Sequence, residues 1–356
     1  MRLPHRVSPR VTVVGLAAVT GLLIAGCGGG GGASGGGTSG PVVVAPARTA
    51  RALPSPSTPP RVATILSGRV APWRLPGPLS RAQAVVVQGR VFVLAGLEPG
   101  DRSTARVLGV DVATGRVTTA GSLAVAVHDT AVAVIGGRPV LFAGGNSQEV
   151  ATVQTFSPAS AASAAGSRVV GVLPQARSDL EAAQVDGRVF LLGGYDGITT
   201  QAGVLATTDG RSFTEVGRLV RPVRYGAAVT VGPAGARQVL LFGGQRGGVP
   251  TDAVQRLDPA TGAVTVVARL PRPLSDAVAF SLGGSVWVAG GRVAGTTSDE
   301  ILRYDLATGR TVVAGRLPYP VADAAVVVVG NAAYLIGGEA AAELDTVTVL
   351  RPLPGS

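Results

Sequence analysis

Lysine is absent from this chain of 356 residues: all 31 basic side chains are arginine, which fits a GC-rich coding bias and carries no functional signal. Histidine occurs twice, methionine once and cysteine once, and aromatic residues make up only 4%. One cysteine cannot form an internal disulfide, so packing and strand pairing must hold the fold. His5 lies in the leading segment, His128 is the only other histidine, and there is no Cys-X-X-Cys, so a zinc cluster is not expected and no metal or cofactor is assigned. His128 stands beside Asp129, but no nucleophile is paired with it along the chain. A Gly-x-Ser-x-Gly elbow is missing. The run "GGQRGG" at 243–248 has no Lys-Ser/Thr to follow it, so it is not a phosphate loop. Long helix-forming runs are scarce, whereas 52 Gly and 25 Pro separate short apolar stretches. That pattern predicts an all-β protein.

Acidic residues are missing from the first 80 positions, and this accounts for most of the net charge of +10. Residues 81–356 carry 23 Arg against 21 acids, close to balance. A nucleic-acid binder would place its excess on the folded part, so nucleic acid is not expected as a partner.

Residues 1–26 begin with the basic "MRLPHRVSPR" and continue into the apolar "VTVVGLAAVTGLLI". A charged start, an apolar run of about fourteen residues and small residues before a cut site describe a secretory signal peptide. Ile24-Ala25-Gly26-Cys27 resembles the lipobox of bacterial lipoproteins. The resemblance implies lipidation of Cys27, attachment to the bacterial cell membrane through that lipid, and an extracytoplasmic location. Residues 27–62, "GGGGGASGGGTSG" followed by a Pro-rich basic stretch, read as a flexible tether. Residues 63–356 are left for the folded domain.

Within that domain one signal repeats. Gly144-Gly145, Gly193-Gly194, Gly243-Gly244, Gly290-Gly291 and Gly337-Gly338 each follow a strand-like run, and Ala95-Gly96 is a sixth copy with its first glycine replaced. The copies recur about every forty-eight residues, a period typical of stacked repeat units. Before each pair stand two apolar runs. After it come a polar loop, a third run, a turn and a fourth run. The turns match in "DVATGR" (111–116), "DPATGA" (258–263) and "DLATGR" (305–310), with "TTDGRS" (207–212) a variant, and all suit tight hairpins. Each unit is therefore four antiparallel strands that bury both faces only by radial stacking. The spacing, glycine pair and turn placement are similar to kelch repeats over residues 63–356. Tyr304 keeps the tyrosine usual before the turn and Trp73 the tryptophan near the closing strand, while most copies lack both. The resemblance implies a six-bladed kelch-type β-propeller, with the glycine pair ending the second strand where the backbone bends beside its neighbour. Kelch-type enzymes include copper oxidases, whose His and Cys ligands this chain lacks, and sialic-acid epimerases.

The last unit has a third strand but little room for a fourth. "RVAPWRLPGPLSRAQAVVV" (69–87) reads like "TVVAGRLPYPVADAAVVVV" (311–329), so Val70–Leu75 is expected to supply the missing outer strand and close the ring. Alternating strands put the near-identical turns on one face of the disc and the variable loops on the other, which is the expected binding face. Tyr195, Asp196, Arg246 and Arg292 are its candidate side chains. The same face receives the start of each innermost strand, where one residue per blade recurs: Arg81, Asp129, Asp179, Tyr225, Asp276 and Asp323. Such a ring needs cations, arginine partners or protons to sit together. Arg81, Arg177, Arg224 and Arg272 lie close enough in sequence to help. The ring reads either as a polar pocket for a cationic or hydroxyl-rich ligand or divalent ion, or as a set of aspartates accepting backbone amides in caps or Asx turns. The functional expectation is a non-catalytic binding propeller for an envelope protein or glycan. The alternatives are an epimerase-like enzyme acting on a small sugar in the central pocket, and an architectural component of the envelope.

Overall fold

The computed structural model describes residues 62–160 and 164–353; the signal-peptide, Cys27 and tether expectations lie outside them. Among the described residues there is no helix, and none could therefore cross a membrane as one. The strands form six antiparallel sheets arranged as the blades of a β-propeller, with two further two-stranded hairpins in the loops. The third blade shows the plan: Ser178–Val185, Arg188–Tyr195, Gly203–Thr207 and Thr214–Arg218 pair in chain order from the axis outward. The innermost strands are Gln83–Val87, Ala131–Ile135, Ser178–Val185, Ala227–Val231, Val278–Leu282 and Ala325–Val329. Each neighbours the next, and the sixth returns to the first.

Blade-to-blade packing supplies the core. Six apolar clusters are present, one at each interface between adjacent blades. The second strand of each blade is buried almost throughout, because it is covered on both faces, and so it reads as a continuous apolar run. Edge-on aromatic pairs span several interfaces, such as Phe242 with Tyr304 at 5.3 Å between centroids. Leu75, Leu173, Leu270 and Leu317 of the Leu-Pro motif are all buried, and Leu219 is a fifth member of that set. Leu75, Leu219, Leu270 and Leu317 donate their backbone N–H to the stretch just ahead of the third strand of the blade, and Leu173 donates to Ala151 near the start of that strand.

The D-x-A-T-G turns fold as their chemistry predicts. Asp305 Oδ1 accepts the amides of Ala307 and Thr308, and the Gly309 amide closes the turn on the Asp305 carbonyl. Asp111 and Asp258 do the same in their blades.

Two expectations are corrected. The leading segment does close the sixth blade, but the closing strand is Leu66–Val70, paired with Val347–Pro352, and not Val70–Leu75. Beyond Val70 the strand pairing gives way to single bonds from the amides of Ala71, Leu75 and Leu79, which reach Val347, Asp345 and Leu344. Between the first two of these bonds four residues on one side stand against two on the other, so the chain bulges at Pro72, which has no N–H to donate. Trp73 in the bulge packs on Gly115, in the D-x-A-T-G turn of the first blade.

The second correction concerns the glycine pair of the second blade. Elsewhere both members have positive φ, and the amide of the second donates to a carbonyl of the next blade: Gly194 to Val223, Gly244 to Leu274, Gly291 to Val321, Gly338 to Leu79 and Gly96 to Val127, at 2.8–2.9 Å. In the second blade the residues that do this are Ala143 and Gly144, with Gly144 donating to Arg177. Gly145 is the residue beyond the pair and ends the strand, paired with Glu149.

Candidate functional site

Arg81, Asp129, Asp179, Tyr225, Asp276 and Asp323 all come to the axis, at the start of the six innermost strands. Their backbones explain their recurrence. All six are left-handed, with φ between 49° and 58°. The amide of each donates to the carbonyl of its counterpart in the preceding blade, at 2.8–3.2 Å, from Arg81 bonding to Asp323 round to Asp323 bonding to Asp276. Six hydrogen bonds thus make a closed backbone hoop around the axis. Aspartate tolerates this conformation better than most residues, which accounts for its use at four of six positions.

The hoop replaces the Asx-turn alternative, because the backbone does the structural work and the aspartate side chains are free to face the channel mouth. There they meet three guanidinium groups. Arg81 Nη1 lies 3.0 Å from Asp129 and 3.4 Å from the Tyr225 hydroxyl. Arg224 Nη2 lies 2.6 Å from Asp179 and 2.5 Å from the Tyr225 hydroxyl. Arg292 Nη2 contacts Glu339 at 2.8 Å and Asp323 at 3.4 Å, with its Nε 4.0 Å from Asp276. Asp276 is held more closely by the Ser275 hydroxyl, at 2.5 Å. Arg224 also lies 4.4 Å from the ring centres of both Tyr195 and Tyr225, which continues the polar ladder toward the loops.

Not every candidate joins this cluster. Arg177 is buried and donates to the Gly193 and Gly203 carbonyls, serving the blade interior. Arg272 pairs with Glu300 away from the axis. Asp196 is consumed by its own loop, accepting the Ile198 and Thr199 amides and the Gln175 and Gln201 side chains. Arg246 sits on an exposed two-residue strand, paired with Val249 in a small hairpin on the loop face.

Glu339 and Glu181 join the site although the sequence pattern does not single them out, and the fold shows how Glu339 is placed. The residue after each positive-φ pair bridges back to the residue before the hoop, as in Ser275 with Arg292 and Ala322 with Glu339. Those positions, Leu97, Gly145, Tyr195, Gln245, Arg292 and Glu339, form a second tier at the mouth. At Gly145 an added Cβ would meet the His128 ring, and His128 Nδ1 is 2.8 Å from the Ser103 hydroxyl.

Inside the hoop lies a cavity of about 230 Å³, walled by the innermost strands. Alanines 84, 182, 228, 279 and 324 among the lining residues leave the room. Glu181 lies two residues beyond Asp179 on the same strand and opens on this lumen. Desolvation dominates the acids here. It raises Glu181 to about 8, against one favourable bond from the Ala228 amide. It raises Asp179, with Asp129 adding to the effect and Arg224 opposing it. Asp276 and Asp323 are likewise raised by burial, and Asp276 adds to the rise at Asp323. His128 is lowered by burial. The mouth can therefore present neutral carboxyl donors, carboxylate acceptors and guanidinium donors to one small volume. Among the described residues, no three or more His, Cys, Asp or Glu side chains converge in a metal-holding geometry.

These observations define a six-bladed β-propeller with a polar axial pocket. The solved structure titled "Structure of YjhT" matches it with a TM-score of 0.67 at 16% identity, over 80% of this chain and 97% of that one. At that identity the likeness is one of fold. No protein-family model and no curated protein sequence matches this chain.

Proposed function

We propose that this chain is a kelch-type binding propeller, held outside the cytoplasm by a lipid on Cys27, that recognises a glycan of the cell envelope without transforming it. The observation that carries this reading is the axial pocket, where Asp129, Asp179, Asp276, Asp323, Arg81 and Tyr225 ring one cavity and Arg224 and Arg292 brace the aspartates. Hydroxyl-rich ligands need many donors and acceptors in a small volume, on rigid elements. The variable loops around the mouth, with Tyr195 stacked on Arg224, would extend contact to neighbouring sugars or to a protein that carries them.

A second reading, an epimerase-like enzyme acting on a small sugar, draws on one observation. Asp179 and Glu181, both biased toward the protonated form, open on the same cavity. Against it, each mouth carboxylate is engaged by an arginine or a serine, which suits holding a ligand better than exchanging protons with it.

The test is capture of envelope glycans and proteins by the full chain, compared with Asp179→Asn/Asp276→Asn. The expected result is a glycan-bearing species retained by the wild type and reduced at least tenfold by the variant, a difference of about 1.4 kcal/mol. Cys27→Ser should leave the membrane fraction in the same preparations. Conversion of a captured sugar, followed by NMR, would favour the enzyme. Capture unaffected by both aspartate changes would remove the axial pocket from the reading.

A further inference from the structure

Three guanidinium groups face five carboxylates at the channel mouth, those of Asp129, Asp179, Asp276, Asp323 and Glu339. Negative charge is in excess by two before Glu181 is counted. The excess is unevenly distributed. Asp129 and Asp179 each have a close arginine, whereas Asp276 has its arginine only at 4.0 Å. Glu181 has no ion pair among the described residues, although it lies half-buried on the lumen wall. An apo pocket of this kind resolves its excess by holding protons. Protons held in this way can be exchanged for a bound cation.

Resting on the reading of the axial pocket as a glycan site, we propose that its occupant is an amino sugar, seated with its ammonium group toward Glu181 and Asp276 and its hydroxyls toward the Tyr225, Arg81 and Arg224 cluster. Several features select this class. The cavity, at about 230 Å³, lies below the roughly 300–1,000 Å³ of pockets for drug-sized ligands, so it suits a single sugar ring. The carboxylates are spread around a hoop instead of converging, so a bare metal ion would reach few of them at once. An ammonium carried on a ring donates up to three hydrogen bonds and can use whichever acids the ring brings it to.

Binding then has a thermodynamic signature. The ammonium displaces protons from the least compensated acids, Glu181 and Asp276, and these leave to solvent. Asp129 is the charge that bears on Glu181, and Arg292, Arg81 and Asp129 are the charges that bear on Asp276. The relevant experiment is calorimetric titration of the full chain with glucosamine and with glucose at about pH 6, where an amine is protonated, in two buffers of different ionisation enthalpy. Glucosamine should bind at least tenfold more tightly than glucose and release protons. Glu181→Gln and Asp276→Asn, which keep side-chain shape and tolerate the backbone conformation, should each lower glucosamine affinity several-fold and reduce the proton release. Unchanged thermal melting would show that the variants fold. Equal affinity for the two sugars, or glucosamine binding untouched by either change, would overturn the amino-sugar assignment and leave the axial glycan site standing. No binding of either sugar, with other glycans still captured through the axial aspartates, would overturn it in the same way. Failure of all capture would remove the underlying reading as well.

Discussion

At the scale of the residue, the glycine pairs do two jobs at once. The first glycine has φ near 60°, and a Cβ there would press on the carbonyl oxygen of the next blade: Val223 at Gly193, Leu274 at Gly243, Val321 at Gly290 and Leu79 at Gly337. The second glycine donates its amide to that same carbonyl. Ala95 and Ala143 hold the first position in two blades, with φ of 61° and 59°. The left-handed conformation costs an L-residue about 1–2 kcal/mol. Against this stand a buried methyl, worth about 0.8 kcal/mol, and the extra unfolded-state entropy of glycine, about 0.4–1 kcal/mol. The terms nearly cancel wherever the neighbouring carbonyl has room. Ala143→Gly should therefore change stability by less than about 1 kcal/mol, whereas Gly243→Ala, which adds the Leu274 collision, should cost more than about 2 kcal/mol. Denaturant melts of the two variants test the asymmetry, and equal costs would show that the carbonyl contact carries no energy. The same level of detail explains why the second-blade pair was misplaced along the chain. "AGG" offers two registers, and only the amide that reaches Arg177 selects Ala143-Gly144.

The blade is the next scale, and its weakest point is the sixth, which borrows its outer strand from the other end of the chain. Leu66–Val70 covers an edge that would otherwise present unpaired backbone groups along Val347–Pro352. Leu66 is 2% exposed and sits in the cluster between the fifth and sixth blades. A chain beginning at Ala71 should lose cooperative melting or aggregate, whereas one beginning at Arg61 should melt like the full chain, as followed by circular dichroism. Leu66→Ala alone should cost about 2–5 kcal/mol. Superimposable melts for the two truncations would show that the ring closes without this strand. Much of this level was legible in the sequence, because period, turns and apolar runs are local chemistry copied six times. The match of Leu75-Pro76 to Leu317-Pro318 points to the clasp but sets its strand too late in the chain. The bulge at Pro72 breaks the copy, and only pairing with Val347–Pro352 reveals the true register. The axial positions were equally legible as a recurrence. Their meaning was not, since the hoop joins residues about fifty apart through backbone groups that no side chain announces. Glu181 remained hidden because the glutamate of "DLEAAQV" has no acidic counterpart in the other blades.

For the whole molecule, the axis concentrates ionisable groups that folding pulls in one direction, and stability should follow pH accordingly. Glu181, Asp179, Asp276 and Asp323 are all raised by desolvation. In the folded state they keep protons that the unfolded chain would release near pH 4. Their contribution is therefore complete below about pH 4 and is lost progressively as pH rises toward about 8. The turn aspartates act oppositely. Backbone amides hold Asp258 and Asp305 below the usual carboxylate range, so their contribution is lost only as pH falls below about 4. His128, lowered by burial, also favours the folded state as pH rises, but its effect ends near its unfolded value of about 6.5. Between about pH 6.5 and 8 the axial acids are thus the groups that set the slope, and stability should fall. A loss of about 2 kcal/mol across that window, at roughly 2–4 °C per kcal/mol for a domain of this size, lowers Tm by about 4–8 °C. Glu181→Gln/Asp276→Asn should flatten the profile, since an amide has no proton to lose. Calorimetric melts of both forms across that window test the idea. A wild-type Tm that holds or rises from pH 6.5 to 8 would mean that the carboxylates are already ionised and matched by the three arginines, leaving the axis no store of protons to release.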